Sequence, residues 1–125
     1  MSNQLINLSL KEARKGLLSK EFSSEELTSA YLSRIDAHDK TIQAYITTTP
    51  DYALAQAKKA DELYASGDGE KYPLLGIPMG VKDVLAVDGV RTTGGSKILE
   101  NFKPPYTGTA VNKLFNAGMV MLGKT

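Results

Sequence analysis

The chain has 125 residues, 42% of them hydrophobic and 23% charged, with 15 Lys plus Arg against 14 Asp plus Glu and a formal net charge of +1. That length suits one domain with one core, and the composition excludes a disordered tail, a collagen-like fibre, a coiled coil and a polycationic nucleic-acid binder. Cysteine is absent and His38 is the only histidine, which excludes disulfide frameworks, zinc ribbons, iron–sulfur sites, thiol nucleophiles and multi-histidine metal sites.

Met1 to Lys15 lacks the apolar core of a signal peptide, and no segment approaches the roughly 20 apolar residues that span a bilayer. A soluble, cytoplasmic protein is therefore expected. The spacing of Leu10, Ala13, Leu17 and Leu18 predicts a helix from Ser9, its N-cap, to Lys20, with Lys11, Glu12, Arg14 and Lys15 facing water. Ser23 and Glu26 form a capping-box pattern, and Leu27, Tyr31 and Ile35 carry a second helix that frays near His38 and Asp39. Ala44 to Thr49 is rich in β-branched and aromatic residues and predicts a strand. A third helix follows, capped by Thr49, with Pro50 in its first turn, Ala53, Ala57, Ala60 and Tyr64 on one stripe, and Gly67 with Gly69 at its end.

Composition shifts beyond Gly69. Four of the five prolines and eight of the eleven glycines lie after Tyr72, which predicts strands joined by shaped loops. Met79 to Leu85 reads as a strand with Lys82 and Asp83 in its middle, Asp88-Gly89 as a turn, Thr109 to Ala117 as a helix capped by Thr109 and stopped by Gly118, and Met119 to Leu122 as a buried strand. Alternating strands and helices indicate an α/β class. A buried strand running into Gly123-Lys124-Thr125 is an odd way to end a domain, so a truncated chain is expected.

Four places can carry chemistry. Lys82 inside an apolar strand has its charge in a poor solvent; burial lowers a lysine pKa, and a neutral amine is a general base. The alternative is that Lys82 reaches water or pairs with Asp83. Gly118 to Thr125 matches the G-x-x-x-x-G-K-[ST] phosphate loop, but Met, Val, Met and Leu fill it, and the motif needs a turning loop and a following helix, so a strand is the better reading. Arg91-Thr-Thr-Gly-Gly-Ser96 can line an anion site or form a plain polar loop, and Ser96 is a nucleophile only beside a base. His38, between Asp36 and Asp39, reads as surface, and Lys58-Lys59 as a solvated helix face.

The stretch Pro73-Leu-Leu-Gly-Ile-Pro-Met-Gly-Val-Lys-Asp-Val-Leu85 resembles the catalytic-lysine region of the amidase signature family. Gly89-Val-Arg-Thr-Thr-Gly-Gly-Ser-Lys-Ile-Leu-Glu-Asn-Phe-Lys-Pro-Pro-Tyr106 resembles one branch of it, the A subunits of aspartyl/glutamyl-tRNA amidotransferases, as do Ser23 to Leu27, Ala44 to Thr48 and Leu122 to Thr125. Thr107-Gly108 and Ala86-Val87-Asp88 depart from the branch's usual residues without touching Lys82. The resemblance implies the N-terminal portion of a single amidase domain, with 1–70 mainly helical and 71–125 carrying strands and loops. It implies an incomplete mixed central β-sheet flanked by α-helices. It implies a Ser-cisSer-Lys triad in which Lys82 is the lysine, with both serines and the oxyanion-hole backbone beyond Thr125. The reaction implied is release of ammonia from glutamine for amidation of Glu-tRNA(Gln), in a heterotrimer with the B and C subunits of the amidotransferase. It implies no cofactor or metal on this chain, and ATP and Mg used through the B subunit. Alone, the 125 residues are expected to be inactive. Another amidase signature hydrolase of small amides and a non-catalytic subunit-docking module are the alternatives.

Overall fold

Two serines start the main N-terminal helices. The computed structural model describes residues 2–125. After a single-turn helix α1 (Ser2–Leu5), α2 (Leu10–Leu18) begins behind Ser9 and α3 (Ser24–Ile42) behind Ser23. At each start the serine hydroxyl accepts the N–H of a glutamate three residues on, Glu12 or Glu26, whose carboxylate accepts the N–H of the serine. Two otherwise unpaired donors are satisfied at each helix start. The Ser9–Glu12 box obeys the same Ser-x-x-Glu rule as the predicted one at Ser23.

The first helix buries less than its spacing predicts. Ala13 and Leu17 are in the core, but Leu10 is 54% exposed and Leu18 37%. Arg14 does not face water: its guanidinium donates to the carbonyls of Tyr72 and Pro73, both at 2.8 Å, and ties α2 to the loop before the sheet.

Helix α3 runs past the predicted fraying point to Ile42, because Asp39 holds the chain as it leaves. The Gln43 N–H donates to the Asp39 carbonyl at 2.7 Å with Gln43 in the left-handed region (φ 55°). The Asp39 carboxylate then accepts the N–H groups of Ala44 and Tyr45. Those two donors are thereby taken from any ladder, so the strand predicted from Ala44 shrinks to β1 (Thr47–Thr48).

Helix α4 (Pro50–Ala65) starts with its proline in the first turn and buries Ala53, Ala57, Ala60 and Tyr64, as the spacing predicts. Thr49 does not cap it by its side chain; the hydroxyl donates to the Met121 carbonyl at 3.2 Å instead. Gly67, at φ 86°, turns the chain away.

Strand β2 (Pro78–Val81), helix α5 (Thr109–Asn116) and strand β3 (Val120–Lys124) complete the order. The N-cap of α5 is Gly108, with Thr109 its first helical residue, so the predicted Thr109 cap is one residue off. The sheet is mixed, in order β1-β3-β2, with β1 antiparallel and β2 parallel to β3. Met79 faces Met121 and Gly80 faces Gly123, so Leu122 is an extra residue that bulges β3.

All five residues of β3 are buried because both its faces are covered. Val120 and Leu122 pack on Ala53 and Ala57 of α4, whose missing side-chain bulk lets helix and strand approach. Met119 and Met121 alternate to the other side, against Val81, Val87, Val90 and Val111. A third cluster joins α2, α3 and α4 through Leu17, Leu27 and Tyr64 to Leu75 and Ile77. Leu17 and Leu27 are 2% and 1% exposed, and burial of that completeness stabilises by about 1.5–3 kcal/mol per leucine.

Candidate functional site

The chemistry-bearing residues of the second half collect where β2 ends beside the end of β3. Val81 is the last residue of β2 and is buried; Lys82, the next, points the other way and is exposed. Sequence spacing predicts a longer strand, with Lys82 either held in its apolar interior or reaching out to water. Instead the chain turns at once, with the Leu85 N–H donating to the Lys82 carbonyl at 2.9 Å. The turn leaves the ammonium open to water, and no described residue accepts a hydrogen bond from it or pairs with it.

Asp83 does not pair with Lys82. It is 1% exposed and faces Lys124, which is fully buried, with Nζ 3.5 Å from Oδ1. The other carboxylate oxygen accepts the Thr93 N–H at 3.1 Å and the Thr93 hydroxyl. Lys124 Nζ also donates to the Leu85 carbonyl at 2.8 Å and to the Thr92 hydroxyl at 2.9 Å, and Thr92 donates onward to the Val90 carbonyl. Burial pushes the Asp83 carboxyl up, but the Thr93 bonds and the Lys124 charge outweigh it and hold the group below the ordinary carboxylate range. For Lys124 burial prevails over the attraction of Asp83, and its pKa is lowered.

This pair is not legible in the sequence. There Asp83 stands out only as a neighbour of Lys82, and Lys124 only as part of a phosphate-loop pattern. The available signal is a lysine ending an apolar run, which has to find an anion if the run is buried. The phosphate-loop reading has no geometric basis: Gly118 ends α5, residues 120–124 are extended and buried, and the ammonium is engaged on three sides.

The Arg91 to Ser96 loop is built inward. The Arg91 guanidinium donates to the carbonyls of Ile46 and Glu100 and to the Thr47 hydroxyl, tying the loop to β1. It is spent on structure rather than offered to an anion. Ser96 accepts the Ile98 N–H at 3.3 Å, and among the described residues no base is hydrogen-bonded to its hydroxyl. His38, Lys58 and Lys59 are exposed, as expected. Grooves of about 880, 610 and 550 Å³ open among residues 4–65, and Lys82 lines none of them.

The family model described as Amidase matches residues 26–125. The chain is 51% identical over 121 residues to a Geobacter metallireducens protein named as the A subunit of glutamyl-tRNA(Gln) amidotransferase, covering 97% of this chain and 24% of that one. A Pseudomonas putida protein of the same name is 53% identical over 118 residues, covering 94% and 24%. Among solved structures, the peptide amidase of Stenotrophomonas maltophilia superposes with a TM-score of 0.88 at 35% identity, covering 95% of this chain and 24% of that one. The chain thus spans about a quarter of the length of the relatives it matches.

Proposed function

The chain belongs to the Amidase family, and on that premise we propose that it forms the N-terminal part of the amidase subunit of a glutamyl-tRNA(Gln) amidotransferase. One observation carries the choice of branch. Identity is 51% and 53% to relatives with that name, against 35% to the peptide amidase, over nearly the same stretch.

In the proposed reaction Lys82 is the general base of a Ser-cisSer-Lys triad. It accepts a proton from the cis-serine, which accepts one from the nucleophilic serine as that oxygen attacks the side-chain amide of glutamine. The tetrahedral oxyanion collapses to an acyl-enzyme as the proton on Lys82 returns through the cis-serine to the leaving amine, which departs as ammonia; water then attacks the acyl-enzyme and frees glutamate. Both serines lie in the further length that the relatives possess. The same length has to close over the exposed Lys82, because a lysine that accepts a proton must start neutral in a dry setting. Ammonia then passes to the B subunit, where ATP and Mg serve the amidation of Glu-tRNA(Gln), with the C subunit completing the assembly. A cytoplasmic location follows from that role; among the described residues no helix is long and apolar enough to cross a membrane.

The test is Lys82→Met in the native polypeptide that carries residues 1–125. Glutamine-dependent ammonia release is expected to vanish while the circular dichroism spectrum and thermal midpoint stay unchanged. Appreciable glutamine hydrolysis by that variant overturns the assignment.

A further inference from the structure

The backbone around Lys82 is held from both sides. The Thr125 N–H donates to the Val81 carbonyl at 2.9 Å, and the Asp83 N–H donates back to the Thr125 carbonyl at 2.7 Å, so the residues before and after Lys82 hang on the same residue at the end of β3. The Gly94 N–H donates to the Asp83 carbonyl at 3.1 Å. The side chain of Lys124 makes a second set of ties to the same turn, through the Asp83 carboxylate and the Leu85 carbonyl, and its contact with Thr92 joins that turn to the following loop.

A fully buried ion pair is an expensive way to stabilise a fold, because well-packed apolar residues of similar volume often do as well or better. What such a pair supplies is direction: an ammonium with three fixed partners admits one arrangement of the chain, whereas apolar contacts admit several. Here that arrangement is the turn whose first residue is Lys82. We propose that Lys124 is a positioning residue for Lys82: its buried ammonium, held by Asp83, Leu85 and Thr92, fixes the turn that aims the Lys82 side chain. The inference rests on the reading of Lys82 as the general base.

The test uses steady-state ammonia release from glutamine by the native polypeptide, with kcat and KM measured separately. Lys124→Met is expected to lower kcat about tenfold or more with KM within about twofold, because the loss falls on the aim of a reacting group and not on substrate binding. Two conservative variants decide the matter should that one fail to fold. Thr92→Ser keeps the hydroxyl that accepts from Lys124 and loses a methyl; Thr92→Val keeps the shape and loses the acceptor. Positioning predicts that Val lowers kcat about threefold or more while Ser stays within about twofold, whereas a packing role predicts the reverse order. Folded Lys124→Met with wild-type kcat, or Thr92→Val as active as Thr92→Ser, overturns the inference. Ammonia release that survives Lys82→Met overturns the reading beneath it, so the two failures are distinguishable.

Discussion

Two residues illustrate how little freedom the second half of the chain has. A Cβ on Gly123 would lie 2.4 Å from the Thr47 carbonyl oxygen and 3.0 Å from the Thr48 Cα, both backbone atoms of the paired strand. Neither can move without parting β1 from β3, so Gly123→Ala is expected to destabilise by about 2–4 kcal/mol, at the severe end of single substitutions. A urea midpoint within error of the wild type would refute this. Asp83 is the second. Its carboxyl holds a proton more weakly in the folded protein than in the unfolded chain, so unfolding takes up a proton and acid favours the unfolded state. The stabilisation is present above the ordinary carboxylate range and is lost as pH falls through it towards the lower value Asp83 has when folded. Asp83→Asn leaves the Lys124 charge buried without its anion, at a cost of about 3–5 kcal/mol at neutral pH. Below about pH 4 the wild type has begun to lose the same contribution, so the two unfolding free energies should draw together there. Urea titrations of both proteins at several pH values check this; curves that stay parallel down to acid pH would remove the ion pair from the account.

At the scale of the element, what the sequence announced was local. Ser-x-x-Glu marked a capping box at Ser23, the alanine stripe marked the buried face of α4, and Gly118 marked the end of α5. Each signal lies within one turn of the feature it specifies. What failed involved a partner elsewhere, or competition for a backbone group. β1 is short because the Asp39 carboxylate takes the N–H groups of Ala44 and Tyr45. β2 is short because the turn after Val81 is bound to Lys124 and Thr125. Helix α3 carries a further cap that no local pattern signals: the Asp61 carboxylate, on α4, accepts the N–H groups of Ser24 at 2.7 Å and Glu25 at 3.0 Å. An anion at a helix N-terminus meets both unpaired donors and the positive end of the dipole. Asp61→Ala should therefore cost about 1–2 kcal/mol, and Asp61→Asn, which keeps an acceptor but loses the charge, visibly less. Equal losses for the two, read from urea midpoints, would show that packing rather than capping is what Asp61 supplies.

For the whole molecule the distribution of apolar surface matters most. The last strand is the centre of the sheet, with β1 and β2 on either side, so the open edges are a two-residue strand and β2. Between β2 and α5 the loops carry Val84, Leu85, Ile98, Leu99, Phe102 and Tyr106, at 63%, 37%, 95%, 41%, 42% and 60% exposure. Loops are ordinarily polar, and exposed apolar side chains beside a free strand edge draw chains together. Val84 and Leu85 belong to the turn that starts at Lys82, which is where the proposed subunit needs further protein to close the site. The family resemblance could therefore be recognised in the Pro73 to Tyr106 block, while the dry setting of the base could not, because a strand pattern reports which residues alternate and not what covers them. The consequence is measurable on the 125 residues themselves. They should associate with rising concentration by light scattering, and Ile98→Lys should reduce that association. Since Ile98 is 95% exposed, the substitution should leave the urea midpoint equivalent to within about 0.5 kcal/mol. A wild-type chain that stays monomeric across the concentration range would mean that these side chains cover one another well enough to need no partner, and the argument from exposed loops to a covering segment would fall with it.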